Sequence, residues 1–161
     1  MIRPMTQDKK QVEAGTIAKN RKAWHEYEIV EKIEAGMMLL GTEVKSLRDH
    51  QCELEGAFAR IVSDECWLMG CKIAPYARGG YVNHEPLRKR KLLMHRSQIH
   101  KIQTKIDQKG ITLIPLRVFF NARGLAKIEL GLARGKRMYD KRQKLQDQQQ
   151  KRDLDRSMKR R

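Results

Sequence analysis

The sequence predicts a mainly β protein: a small closed antiparallel barrel with flanking helices, followed by a basic C-terminal tail that is disordered when free. Three observations carry this prediction. Through the middle of the 161-residue chain, apolar residues recur with period two in short runs bounded by turn residues. Two stretches of helical period interrupt those runs. The closing stretch GKRMYDKRQKLQDQQQKRDLDRSMKRR, residues 135–161, offers almost nothing to bury.

Residues 1–16 read as a flexible N-terminal segment. HEYEIVEKIEAG and MMLLG, separated by Gly36, read as a strand pair. TEVKSLRDH places Val44 and Leu47 at i and i+3, the spacing of a helix face. FARIVS and CWLMGCKIA, joined at Asp64 and Glu65, form a hairpin with Trp67, Met69, Cys71 and Ile73 as its apolar face. HRSQIHKIQTKIDQKG is a helix with Ile99, Ile102 and Ile106 in one stripe, Ser97 as N-cap and Gly110 as its stop. The last hairpin alternates Ile114, Leu116, Val118 and Phe120 in one strand with Ala126, Ile128, Leu130 and Leu132 in the other, around a turn at Asn121–Gly124. About six short strands with a helix at either side suggest a barrel of the oligonucleotide-binding (OB) type over 17–134, which removes sheet edges by closing on itself. An open α+β sandwich is the alternative.

The tail sets Met138, Tyr139, Leu145, Leu154 and Met158 among eleven Lys or Arg and four Asp. Burial of so few apolar groups does not offset the roughly 1 to 2 kcal/mol per residue of entropy lost on ordering. The tail therefore folds against an anion. The whole chain carries 35 Lys plus Arg against 19 Asp plus Glu, a formal net charge of +16. Charge of this size speaks to partners rather than fold, and the most abundant large polyanion in a cell is RNA.

No stretch approaches the roughly 20 apolar residues of a membrane span, and the opening residues lack the apolar run of a signal peptide. A cytoplasmic location is expected, and Cys52, Cys66 and Cys71 read as reduced structural thiols with no zinc spacing. The search for catalytic groups is thin. GMMLLGT, residues 36–42, has the two glycines of a phosphate loop, but Thr42 stands where the lysine is needed. His95 and His100, five apart, do not share a helix face, and the carboxylates Glu26, Glu28, Glu31 and Glu34 read as a strand's wet face. Neither an enzyme activity nor a cofactor or metal is expected.

The stretch IAKNRKAWHEYEIVEKIEAGMMLLGTEVKSLR, residues 17–48, together with KIAPY, NHEPLRKRKLLMHRSQI and GLARGKRMYDKR, resembles the small protein B family, the SsrA-binding proteins of bacterial trans-translation. The four blocks lie in the family's order and cover most of the chain. The resemblance implies an OB barrel that grips the tRNA-like domain of transfer-messenger RNA. It also implies a tail that enters the small-subunit decoding centre and the empty mRNA channel of a stalled ribosome, with elongation factor Tu and GTP acting through the charged RNA. The protein is expected to act as a monomer.

Matched motif by motif, the resemblance places Asn20, Arg21, Lys22, Trp24 and Glu34 on the RNA, with Leu92 and Leu93 against its elbow. It places Gly135, Lys136, Arg137, Tyr139, Asp140, Lys141 and Arg142 in the decoding site. Helix capping by Asn20, a buried Arg partner for Glu34 and core packing of Leu92 or Leu93 are the competing structural roles. Trp24 replaces a usual Arg, exchanging a phosphate contact for a base-stacking surface. Arg137 and Tyr139 replace a Lys and a His. If helical, residues 135–161 would span about 40 Å, enough to run along an mRNA channel. The alternative functions are a generic basic RNA-binding or ribosome-associated protein and, further off, an RNA-processing enzyme.

Overall fold

The computed structural model describes residues 15–136 and 148–152. The elements in chain order are β1 (Thr16–Lys19), α1 (Arg21–Glu26), β2 (Tyr27–Met37), α2 (Gly41–Arg48), β3 (Cys52–Glu53), β4 (Phe58–Val62), β5 (Glu65–Met69), β6 (Lys72–Ile73), β7 (Arg90–Leu93), α3 (Arg96–Lys109), β8 (Thr112–Phe120) and β9 (Ala126–Gly135). Residues 148–152 are helical as well. Seven strands form one antiparallel sheet in the order β1-β8-β4-β5-β7-β2-β9, and β8 also pairs with β9; β3 and β6 pair separately. The protein is thus mainly β with flanking helices.

The β8–β9 hairpin is the expected one, with Val118 opposite Ile128 and Phe120 opposite Ala126. A bulge between Pro115 and Arg117 changes which alternate residues of β8 face the main core. Leu113 before it and Val118 after it both join that core, whereas Ile114 and Leu116 belong to a second cluster with Ala23 and Ala133. That second cluster lies between α1 and the outer face of the sheet, so one strand packs apolar residues on both sides.

Two other expectations change. In β5 the buried side chains are Cys66 and Leu68, and Trp67 and Met69 are only half-buried. The turn decides this: Ser63 and Asp64 both take positive φ (50° and 61°), a two-residue link that fixes Val62 opposite Glu65 and Ala59 opposite Leu68. Gly36 does not end a strand either. It lies within the eleven-residue β2, and MMLLG leads directly into α2.

The helices follow their patterns more closely. Leu47 is fully buried on α2, and Ile99 and Ile102 are buried on α3. Gly110 ends α3 in the left-handed conformation (φ 58°). The N-cap of α3 is His95 and not Ser97, and the Gln98 side chain accepts from the His95 N–H at 3.2 Å.

An unforeseen ion network bolts α2 to the chain around β7. Glu43 and Arg90 have no exposed side-chain surface; Oε1 of Glu43 accepts from Arg90 Nε at 2.9 Å and Oε2 from Arg88 Nη2 at 2.7 Å. Burial alone would push the Glu43 carboxyl up, but the Arg88 and Leu40 N–H hydrogen bonds and both guanidinium charges outweigh it and hold the group below its ordinary range. Arg90 is satisfied further by the carbonyls of Cys71, Arg88 and Pro86.

Candidate nucleic-acid interface

Strand alternation builds one face of β2. Ala35 and Met37 are buried and Ile33 packs against the same core, so Lys32, Glu34 and Gly36 point together to the opposite side. Trp24, 48% exposed on α1, sits at one end of this row, where Lys32 Nζ lies 4.9 Å from its ring centroid. At the other end Leu93 of β7 is paired with Gly36, and a Cβ at position 36 would stand 3.2 Å from the Leu93 Cβ. Gly36 therefore leaves the room that lets Leu93 lie over the strand, half exposed. Glu34 is exposed, faces Glu129 across β9, and lies 3.8 Å from Lys127 Nζ. Glu129 in turn pairs with Arg117 of β8 at 3.2 Å. The result is an exposed row in which an indole, a cation, a carboxylate and an apolar side chain succeed one another over about 20 Å at 3.3 Å per residue.

The first shoulder of the row is α1. Its N-cap is Asn20, 7% exposed, whose Oδ1 accepts from Ala23 N–H at 3.2 Å while Nδ2 donates to the carbonyls of Pro115 and Leu54. The Asn20 amide is thus used inside the protein, tying α1 to β8 and to the loop before β4. Arg21 and Lys22 are exposed on the helix. Lys22 forms an ion pair with Glu55 across a cleft of about 400 Å³ that Tyr27, Glu26 and Phe58 also line. Residues two apart on a helix point in nearly opposite directions, so Lys22 faces this cleft and Trp24 faces the β2 row.

The structure brings Trp24, Glu34 and Leu93 onto one surface and separates Leu92 from it. Leu92 is 1% exposed in the main core, which corrects its expected place at the RNA elbow: adjacent strand residues face opposite sides, and only Leu93 offers surface. The alternative of a buried Arg partner does not describe Glu34, whose partner is the exposed-face Lys127.

Gly135 closes β9 opposite Tyr27, and Lys136 is held at the foot of α1. Arg137, Tyr139, Asp140, Lys141 and Arg142, which the resemblance places in the decoding site, lie outside the described residues. Among the described residues no three His, Cys, Asp or Glu side chains are grouped to hold a metal ion, and no helix is long and apolar enough to cross a membrane.

Comparison with known proteins identifies the family. The SmpB protein family matches residues 17–160. The chain belongs to the SmpB family. It is 50% identical over 147 residues to the SsrA-binding protein of Chloroflexus aurantiacus, covering 91% of each chain. It is 51% identical over 140 residues to that of Desulfitobacterium hafniense, covering 87% of this chain and 89% of the relative. A solved chain described as "tmRNA-SmpB: a journey to the center of the bacterial ribosome" has a TM-score of 0.64 at 51% identity, over 75% of this chain and 85% of that one.

Within this SmpB-family chain, sequence reasoning missed Lys32 and Lys127, the cations that flank Glu34 on either strand. Their signal was legible in part: Lys32, Glu34 and Gly36 are spaced by two in a run whose intervening residues are apolar. Nothing in the sequence announces that Trp24, eight residues earlier and on a helix, would lie over Lys32.

Proposed function

We propose that this SmpB-family chain is an RNA-binding ribosome-rescue factor. It binds the tRNA-like domain of transfer-messenger RNA and delivers it to stalled ribosomes in trans-translation, acting in the cytoplasm by binding rather than by catalysis. The observation that carries the reading is the row Trp24–Lys32–Glu34–Leu93. An indole can stack on an exposed base, Lys32 and Lys127 meet phosphates, Glu34 can accept from base amino groups or 2′-hydroxyls, and Leu93 can cover an unstacked base or ribose. Arg21 and Lys22 add cations on the α1 shoulder, and Asn20 serves by fixing that helix.

The sheet that presents the row reads as an OB-type barrel, supported by the pairing of β8 with both β4 and β9, which joins β9 at one end of the strand order to the strand beside β1 at the other. The tail, from Gly135 and Lys136 through Arg137, Tyr139, Asp140, Lys141 and Arg142, is assigned to the decoding centre and mRNA channel. Elongation factor Tu with GTP joins through the charged RNA, and the protein acts as a monomer.

A reconstituted translation reaction on a message lacking a stop codon tests the reading. The intact chain should tag the stalled peptide. A chain ending at Lys136, and one with Asp140, Lys141 and Arg142 replaced by Ala, should hold the tRNA-like RNA yet fail to tag. Full tagging by the truncated chain would reduce the tail to an electrostatic anchor and overturn its decoding-centre role, and no tagging by the intact chain would favour a generic basic RNA-binding protein.

A further inference from the structure

Between β6 and β7 the chain forms a loop that holds an aromatic side chain entirely in solvent. Tyr81 is fully exposed, with a relative accessibility of 110%, and Val82 beside it is 81% exposed. The loop is nonetheless closed by its own hydrogen bonds. Asn83 Oδ1 accepts from Tyr76 N–H at 3.1 Å, Asn83 Nδ2 donates to the Tyr76 carbonyl at 2.9 Å, and Gly79 N–H donates to that same carbonyl at 2.9 Å. Gly79 fits so closely that a Cβ there would lie 2.8 Å from Asn83 Nδ2, and Gly80 supplies a positive φ of 56°. The turn therefore holds the backbone from which Tyr81 projects into solvent.

The base of the loop is attached to β6, to the start of α2 and to the residue that follows β2. His84 Nε2 donates to the Ile73 carbonyl at 3.0 Å and its Nδ1 meets the Thr42 hydroxyl at 2.9 Å, at the start of α2. Arg88 Nη2 reaches the carbonyl of Met38, the residue after β2, at 3.4 Å. The surroundings are cationic: Arg78 is exposed on the loop, and Lys45 Nζ lies 5.4 Å from the Tyr76 ring centroid. Glu85 is the one carboxylate in residues 74–89.

We infer that the 76–83 loop presents Tyr81 as a stacking platform for an unpaired nucleobase, with Arg78 at the adjacent phosphate, as a contact separate from the β2 row. The inference rests on the proposed RNA-binding function. A tyrosine with both ring faces open has only two rotatable side-chain angles to lose on stacking, and a base of any identity offers a π-face. The flanking cations favour an anionic partner over an apolar protein groove.

Affinity for the tRNA-like RNA and for a fully paired RNA duplex of equal length should be measured with the parent and with Tyr81→Ala, Tyr81→Phe, Tyr81→Leu and Arg78→Ala. Tyr81→Ala and Tyr81→Leu should each weaken binding of the tRNA-like RNA roughly 5- to 100-fold while leaving the duplex within about twofold, and Tyr81→Phe should keep parental affinity. Arg78→Ala should lower the salt slope by about one phosphate, and the Tyr81 variants should leave that slope unchanged. Parental affinity in Tyr81→Ala, equal losses on both RNAs, or full rescue by Leu would overturn the assignment, the last pointing to a protein groove instead. A parent without preference between the two RNAs would instead remove the proposed function.

Discussion

Lys136 donates its ammonium to the main-chain carbonyl of Trp24 at 2.7 Å, and its own N–H donates to the carbonyl of Glu26 at 3.0 Å. A lysine thus satisfies two carbonyls at the C-terminal end of α1, where a cation is favoured by the helix dipole. The first residue beyond β9 is therefore fastened to the helix that displays Trp24. A chain ending at Arg134 should be less stable than one ending at Lys136 by about 0.5 to 1.5 kcal/mol. Thermal unfolding of the two should differ by a few degrees, and identical midpoints would show that the fastening contributes nothing.

Asn20→Ala removes an N-cap and leaves the carbonyls of Leu54 and Pro115 without their side-chain donor. A loss of about 1 to 3 kcal/mol is expected, read as a lower denaturation midpoint. Any loss of RNA affinity should accompany that destabilisation. Weakened RNA binding with an unshifted midpoint would instead place the Asn20 amide on the RNA.

Glu34→Ala should behave in the opposite way. Its side chain is exposed and its ion pair with Lys127 is long, so stability should change by less than about 1 kcal/mol. Binding of the tRNA-like RNA should weaken by about 1 to 3 kcal/mol if the carboxylate meets a base edge or hydroxyl. A filter-binding titration with equal affinities for parent and variant would take Glu34 out of the interface.

Glu43→Gln should cost about 3 to 5 kcal/mol, because Arg90 is left buried without its counter-charge. The Glu43 carboxyl is held below its ordinary range in the folded protein, so its contribution is present above the unfolded value near about 4.3 and is lost as pH falls from there through the folded value. Denaturant midpoints of parent and Glu43→Gln should converge on acidification. A gap that stays constant down to low pH would mean that ionisation of Glu43 is not its source.

Binding of the tRNA-like RNA should weaken with salt at a log–log slope of about −0.7 to −0.9 per phosphate neutralised. Preference over bulk RNA should survive as salt rises, since Trp24, Glu34 and Leu93 do not act through counterion release. If that preference disappears at moderate salt, the net charge of +16 is the whole of the recognition.

The parts of the fold that sequence revealed are those decided locally. The β8–β9 hairpin and the isoleucine stripe of α3 follow from alternation and helical spacing, and Gly110 from the need for a left-handed stop. Other features depend on distant partners. The inward face of β5 was misread because the Ser63–Asp64 turn sets its register against Ala59. α1 was missed because six residues carry too little period to register, and its cap works by bonding residues 34 and 95 positions away. The Glu43–Arg90 pair joins positions 47 apart, which no local pattern connects. At the candidate site, motif matching named Glu34 and Trp24, which stand exposed on one face, but whether Leu92 or Leu93 faces outward is a matter of strand parity against β2 and β5.

The β2 strand has a consequence for how this surface can change. Lys32, Glu34 and Gly36 alternate with Ile33, Ala35 and Met37, so one short segment serves as exposed row on one side and as core wall on the other. Point substitutions can retune the row one residue at a time, but inserting or deleting a single residue would exchange the two faces, sending a carboxylate inward and Ala35 outward. Drift in this family is therefore expected to rewrite letters between positions 32 and 37 while leaving the spacing intact, and length variation should collect in the loops.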